Sequence, residues 1–173
     1  MTELPDGSVW IDAETKIADA PADHRDDLRL WLRLLTCTNL IETEIRRKLQ
    51  SHFDFTLPRF DLLAQLDRAE DGLVLGEVSK RLMVSAGNVT AIVDRLIGNG
   101  HITRSPAPHD RRVQIIRMTP EGRRAFRAMA GQHGDWIGDM FDDLGPGDIE
   151  MLMGLLANLK GSVRRSLSNG GAS

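Results

Sequence analysis

Between Ser85 and Arg127 the hydrophobic period changes twice, and few folds accommodate that order. Val89, Ile92, Val93, Leu96 and Ile97 fall at i, i+3, i+4, i+7 and i+8, the stripe of a short amphipathic helix, with Ser85 suited to its N-cap. Gly87, Asn88, Thr90, Ala91, Asp94 and Arg95 make the opposite face small and polar. Asn99-Gly100 ends the helix. HITRS at 101–105 and VQIIRM at 113–118 then read as two short strands. Between them SPAPHDRR at 105–112 carries two prolines and two consecutive arginines, too much charge for a buried turn. Thr119-Pro120-Glu121 opens a new helix with a cap, a first-turn proline and an acid. Leu75–Met83 reads as a preceding helix, joined to the stripe by a tight turn at Met83–Ser85. Helix, turn, helix, hairpin, helix is the order of a winged helix-turn-helix.

Charge sharpens this reading. The chain is acidic overall, net −3, but its charge is unevenly placed. Residues 79–127 hold ten basic side chains against Asp94, Asp110 and Glu121, a net of +7. Residues 1–27 carry −6, 28–78 carry −1 and 128–173 carry −3. One basic segment between acidic flanks is what local phosphate contact requires, although a solvated basic face would look the same from charge alone. Ser, Asn and Thr at the start of the reading helix suit base edges, and an arginine on a projecting hairpin suits a minor groove.

The stretch VSAGNVTAIVDRLIGNGHITRSPAPHDRRVQIIRMTPEGRRA at 84–125 resembles the MarR family of transcription regulators. Thr90, Asp94-Arg95, Leu96, Gly100, Asp110, Arg112 and Met118-Thr119 sit where the family pattern has them, and the order of elements extends the resemblance over about 28–166. Ala91 departs from it, since relatives often carry a basic residue there. The resemblance implies that Ser85, Gly87, Asn88 and Thr90 face the major groove, and that Arg112 enters the minor groove. Asp110 would hold the wing loop by a charge-assisted contact, and Arg111 would do either job. Arg95 and Arg104 suit phosphates or pairing within the domain.

The expected fold is mainly α with a small β-hairpin wing: a winged helix-turn-helix plus N- and C-terminal dimerisation helices. Residues 1–25 form an acidic N-terminal arm, with Trp10 as its anchor, and 56–119 form the DNA-binding region. Residues 26–55 and 120–166 form the helical dimerisation region, and 167–173 a flexible tail. Leu28, Trp31, Leu34, Leu35, Ile41, Ile45 and Leu49 give the first long helix its apolar stripe. A second helix starts near Thr56, with Pro58 in its first turn, and runs through Leu66. Beyond GPGD at 145–148, Ile149, Leu152, Leu156, Leu159 and Val163 keep 3-4-3-4 spacing, the seam of a paired helix. A twofold homodimer would hold two reading helices about one DNA turn apart over a near-palindromic operator. Gly131, Gly134 and Gly138 recur in a helical stretch, so either another helix packs closely there or the helix bends and re-aims the readers.

In this family small effectors bind between the lobes and release DNA. The resemblance therefore implies a ligand-responsive regulator, repressor by default, with an aromatic acid or its thioester conjugate as effector. Trp31, Asn39, Arg46, Arg59 and Phe60 are candidates to line that space, Trp31 and Phe60 being equally readable as core. Cys37, the one cysteine, opens an alternative of redox regulation, but without tyrosines to hold it, it reads as a small core residue. The five histidines lack metal-ligand spacing, so no metal or cofactor is expected. No nucleophile–base motif or phosphate loop is present, so the chain is not expected to be an enzyme. The absence of a signal peptide or an apolar run of about 20 residues points to the cytoplasm. The remaining alternative is a winged-helix protein-interaction module whose hairpin meets a protein partner.

Overall fold

The computed structural model describes residues 25–82 and 86–170. The acidic arm, Ser85 and the tight turn before it lie outside the described residues. The elements run α1 (Arg25–Phe53), α2 (Leu57–Asp67), β1 (Leu73–Val74), α3 (Leu75–Leu82), α4 (Ala86–Gly98), β2 (Ile102–Pro106), β3 (Gln114–Met118), α5 (Pro120–Met140) and α6 (Pro146–Gly170). They form two compact units, one up to His133 and one from Gly134. By that division α1 goes with the winged helix, whereas the sequence grouping had joined it to the C-terminal helices.

The core of the first unit follows from the helical stripes. In α4, Val89, Val93 and Leu96 are fully buried, and Ile92 and Ile97 are half-buried at the edge of the same stripe. Leu62, Leu63 and Leu66 of α2 and Val78 of α3 bury completely, as do Ile102 and Ile116 of the wing strands. At the other side of the core Phe60 packs at 5.5 Å from the Phe126 ring and stacks at 5.0 Å on His133.

The wing is a three-stranded antiparallel sheet, ordered β1-β3-β2, rather than a bare hairpin. Ile102 pairs with Met118 and Pro106 with Gln114, fixing the hairpin register, while Leu73 pairs with Ile116. A strand of two residues has no alternation to detect, so β1 escaped the sequence reading. Gly72 makes its entry: φ is +83°, and a Cβ there would lie 2.4 Å from the Ile116 carbonyl oxygen.

Thr119 joins wing to α5. Its hydroxyl accepts the Gly122 N–H at 2.9 Å, a helix cap, and donates to the Gly100 carbonyl at 2.7 Å, with the His101 carbonyl at 3.1 Å. Gly122 lies so close to His101 that an added Cβ would stand 2.0 Å from its carbonyl oxygen. No sequence signal marked that approach.

The α1–α2 corner is held by Arg59. Its guanidinium lies 4.5 Å from the Phe55 ring centre, and it donates to the Thr56 hydroxyl and the Asp54 carbonyl, both at 3.1 Å. Asp54 takes a left-handed φ of +49° to make the turn.

Three features depart from the sequence expectations. Of the apolar stripe of α1, only Ile45 and Leu49 are buried; Leu28, Trp31 and Leu35 are exposed in the single chain. Cys37 is exposed too, not a core residue, because the N-terminal half of the 29-residue α1 gains little cover within this chain. And α6 remains helical to Gly170, so residues 167–170 belong to the helix rather than to a tail. Along α6, Ile149, Leu152, Leu156 and Val163 are exposed and Leu159 is half-buried. Gly131, Gly134 and Gly138 sit in an unbroken helix, and a Cβ added at any of them meets nothing within 4 Å.

Candidate nucleic-acid interface

The reading helix exposes the face that its polar residues implied. Gly87, Asn88, Thr90 and Arg95 are all exposed on α4, and a Cβ at Gly87 would meet nothing within 4 Å. With no side chain at Gly87, a DNA surface can approach the backbone there.

The wing tip closes on itself before it reaches outward. Ala107 N–H donates to the Val113 carbonyl at 2.8 Å, and Val113 N–H to the Asp110 carbonyl at 3.0 Å. Asp110 Oδ1 accepts the backbone N–H of Arg112 at 2.9 Å. The acid therefore fixes the turn through the main chain rather than through a guanidinium, which leaves the Arg111 and Arg112 side chains exposed. Gln114 secures the other side, its Nε2 donating to the Arg111 carbonyl at 3.1 Å.

Farther down the wing the cations turn inward to the protein. Arg104 meets Asp94 of α4 at 3.4 Å, and Arg117 donates to the Ser105 hydroxyl across the hairpin at 2.8 Å. Asp94 thus pairs with Arg104, ten residues on, not with its neighbour Arg95. The Arg104 link braces wing against reader, and its exposed position keeps its strength modest. Arg123 bonds Asp67 at 3.0 Å, tying α5 to α2, and Arg124 pairs with Glu121. With Arg127, Met118 and Pro120 these two arginines border a cavity of about 420 Å³.

A second cavity, of about 380 Å³, lies where reader and wing face each other. Thr90 and Arg112, picked from separate parts of the sequence, both line it. Ser79 of α3 and Gln114 of β3 line it with them, over apolar walls that include Val89 and Val113. Neither Ser79 nor Gln114 was singled out by the sequence, because both are single polar residues without a motif.

The five residues proposed for an effector divide by burial. Arg59 and Phe60 are buried inside the first unit, Arg59 in the α1–α2 corner and Phe60 among Phe126 and His133. Trp31, Asn39 and Arg46 are exposed on α1, where Arg46 pairs with Glu42. Neither cavity described above is lined by any of the five. Burial and the nearby Glu42 carboxylate raise the pKa of Asp61, while Arg46 works against them. Among the described residues no group of three His, Cys, Asp or Glu side chains is placed to hold a metal, and no helix is long and apolar enough to cross a membrane.

Comparison with known proteins agrees with this geometry. A family model described as MarR family matches residues 53–113, from the end of α1 to the wing tip. The transcriptional activatory protein BadR of Rhodopseudomonas palustris is 28% identical over 158 residues, covering 86% of this chain and 90% of its own. A MarR family transcriptional regulator from Silicibacter pomeroyi, 26% identical, superposes with a TM-score of 0.71 over 83% of this chain and 99% of that one. Sco3205, a MarR family regulator from Streptomyces coelicolor solved in complex with DNA, shares the fold at 24% identity, with a TM-score of 0.69 over 91% and 92% of the two chains. Reader, arginine wing and these matches together support a MarR-family winged-helix transcription regulator that binds DNA.

Proposed function

We propose that the chain works as a homodimer that binds a near-palindromic operator, with residues 86–90 over base edges and Arg112 in the adjoining minor groove. The observation that carries this is the shared groove lined by Thr90 and Arg112, since it puts reader and wing on one surface. Dimerisation is supported by the apolar residues that α6 and α1 leave exposed in a single chain, Leu152, Leu155, Leu156, Trp31 and Leu35 among them. Surface of that kind on long helices calls for cover by a second copy, and a twofold pair repeats the reader at a fixed spacing.

The regulatory sense is proposed as repression by occupying a promoter, relieved by a small effector such as an aromatic acid or its thioester conjugate. One relative of this chain is named as an activator, so position of the operator relative to the promoter decides the sign. The effector reading rests on family resemblance.

Binding of duplex DNA selected by the protein from a random-sequence pool tests the core reading. Arg112→Ala is expected to weaken binding and to flatten the dependence of log K on log salt by about 0.9 per bound copy. Binding that ignores both salt and this change would point instead to a protein-interaction module.

A further inference from the structure

The groove between reader and wing has chemistry of its own. A helix lying in a major groove about 12 Å wide and an arginine in the adjoining minor groove must straddle the sugar-phosphate strand that separates the two. Among the described residues, the space between α4 and the hairpin is where that strand would lie. It holds a cavity of about 380 Å³ edged by Thr90 on one side and Arg112 and Gln114 on the other, with Ser79 of α3 between. Among the described residues no acidic side chain lines it. A phosphodiester presents acceptor oxygens to the Arg112 guanidinium and the Gln114 amide, along with a sugar to Val89 and Val113.

We propose that this groove seats the phosphodiester strand between the two DNA grooves, and that Gln114 is a backbone-contacting residue there, with Ser79 at its side. The inference rests on the docking of α4 and wing proposed above. Gln114 is half-buried at the first position of β3, a rigid element, and one of its amide hydrogens is spent on the Arg111 carbonyl at 3.1 Å. That bond aligns the amide beside the two tip arginines, and its second hydrogen is the donor offered to a phosphate oxygen. The same bond couples the contact to the turn that aims Arg112. A phosphate contact of this kind positions the protein on the duplex without reading sequence.

Charge substitutions at Gln114 distinguish a phosphate seat from a merely structural amide. The full-length chain is titrated, between about 50 and 200 mM salt, with the selected duplex and with an unrelated duplex of equal length. Gln114→Lys is expected to tighten binding to both duplexes about 3–10-fold at the low-salt end and to steepen the salt slope by about 0.9 per bound copy. Gln114→Glu is expected to weaken both by at least about tenfold, and Ser79→Asp to do the same, with the ratio between duplexes unchanged. A structural role would make lysine and glutamate equally harmful, and that result, or wild-type slopes in both, overturns the proposal. If Arg112→Ala weakens binding while the Gln114 variants stay flat, only the strand seat fails; if the wild type binds neither duplex, the docking reading itself has failed. Inorganic phosphate alone, followed by the NMR signals of the Gln114 side-chain amide, separates the two sources of phosphate. No saturable shift is expected, and one would reassign the groove to a free anion and overturn the proposal.

Discussion

Replacing Gly122 by alanine probes the joint between wing and α5, and the structure supplies the magnitude. The new Cβ would lie 2.0 Å from the His101 carbonyl oxygen, so the first turn of α5 must retreat by about 1 Å to reach even a tight contact. That retreat pulls on the Thr119 N–H bond to the His101 carbonyl, 3.0 Å, and on the Thr119 hydroxyl that caps the Gly122 N–H. Overpacking of this kind costs about 1–3 kcal/mol, and two hydrogen bonds add about 1 kcal/mol each. Alanine regains about 1 kcal/mol of helix propensity, which leaves a net loss of about 2–4 kcal/mol. The obstacle is backbone, which cannot swing aside as a side chain does. Gly131→Ala is the internal control: it makes the same exchange in the same helix where nothing lies within 4 Å, and should gain about 1 kcal/mol. Urea unfolding of both variants measures the difference. Unfolding free energies that agree to within about 0.5 kcal/mol would refute the close approach of α5 to the wing.

Arg59→Met removes the guanidinium above Phe55 and its bonds to Thr56 and Asp54 while keeping much of the packing; a loss of about 1–2 kcal/mol in chemical denaturation is expected, and no loss would mean that the corner closes without it. His133 is stacked on Phe60, and burial holds its pKa below the usual 6.5. The folded state thus resists protonation more than the unfolded state does, so this residue lowers stability as pH falls below about 6.5. His133→Phe should lose less stability than the wild type between pH 7.5 and 5.5 (about one unit either side of the ordinary histidine pKa), and parallel curves would contradict the stacking. Converting Gly131, Gly134 and Gly138 together to Ala should stabilise α5 by about 2–3 kcal/mol and, if a bend there re-aims the readers, blunt the effector response more than DNA binding. A lower unfolding midpoint would instead show that another surface packs closely on those glycines in the dimer.

Local signals were read correctly wherever the physics was local. The stripe from Val89 to Ile97, the strands on either side of 105–112 and the Thr119-Pro120-Glu121 start all depend on neighbours a few residues away, and each stands within a residue or two of its expected place. The features that escaped need partners far along the chain. Gly122 looks like any early-helix glycine until His101, 21 positions earlier, lies against it. Asp94 has Arg95 beside it in sequence, but successive residues of a helix point in different directions, and Arg104 on the wing reaches it instead. Cys37 and Trp31 lie on an apolar helix, as core residues do, yet a long helix can be apolar for a surface outside its own chain. The polar groove residues Ser79 and Gln114 acquire meaning only from what the sheet sets opposite them.

The basic segment that first suggested DNA also has to be divided by use. Among its ten cations, Arg81, Arg104, Arg123 and Arg124 are each matched by an acid within the chain, and Arg117 is engaged by Ser105. The net +7 of residues 79–127 therefore overstates the charge that phosphates would meet, because Glu77 and Asp67 lie outside that segment and neutralise part of it. Of the five cations that remain, Arg111 and Arg112 stand together at the tip, exposed and with no ion pair among the described residues. Asp110 adjoins them in the chain, yet its carboxylate accepts the Arg112 main-chain N–H. An acidic protein can bind a polyanion in this way because the contact needs few cations, provided that they project and their own acids are turned toward the backbone. It also follows that the affinity should be more sensitive to the shape of the turn than to total charge. Asp110→Asn, which raises the net charge but weakens the turn, should then weaken DNA binding, whereas a field set by charge alone would strengthen it.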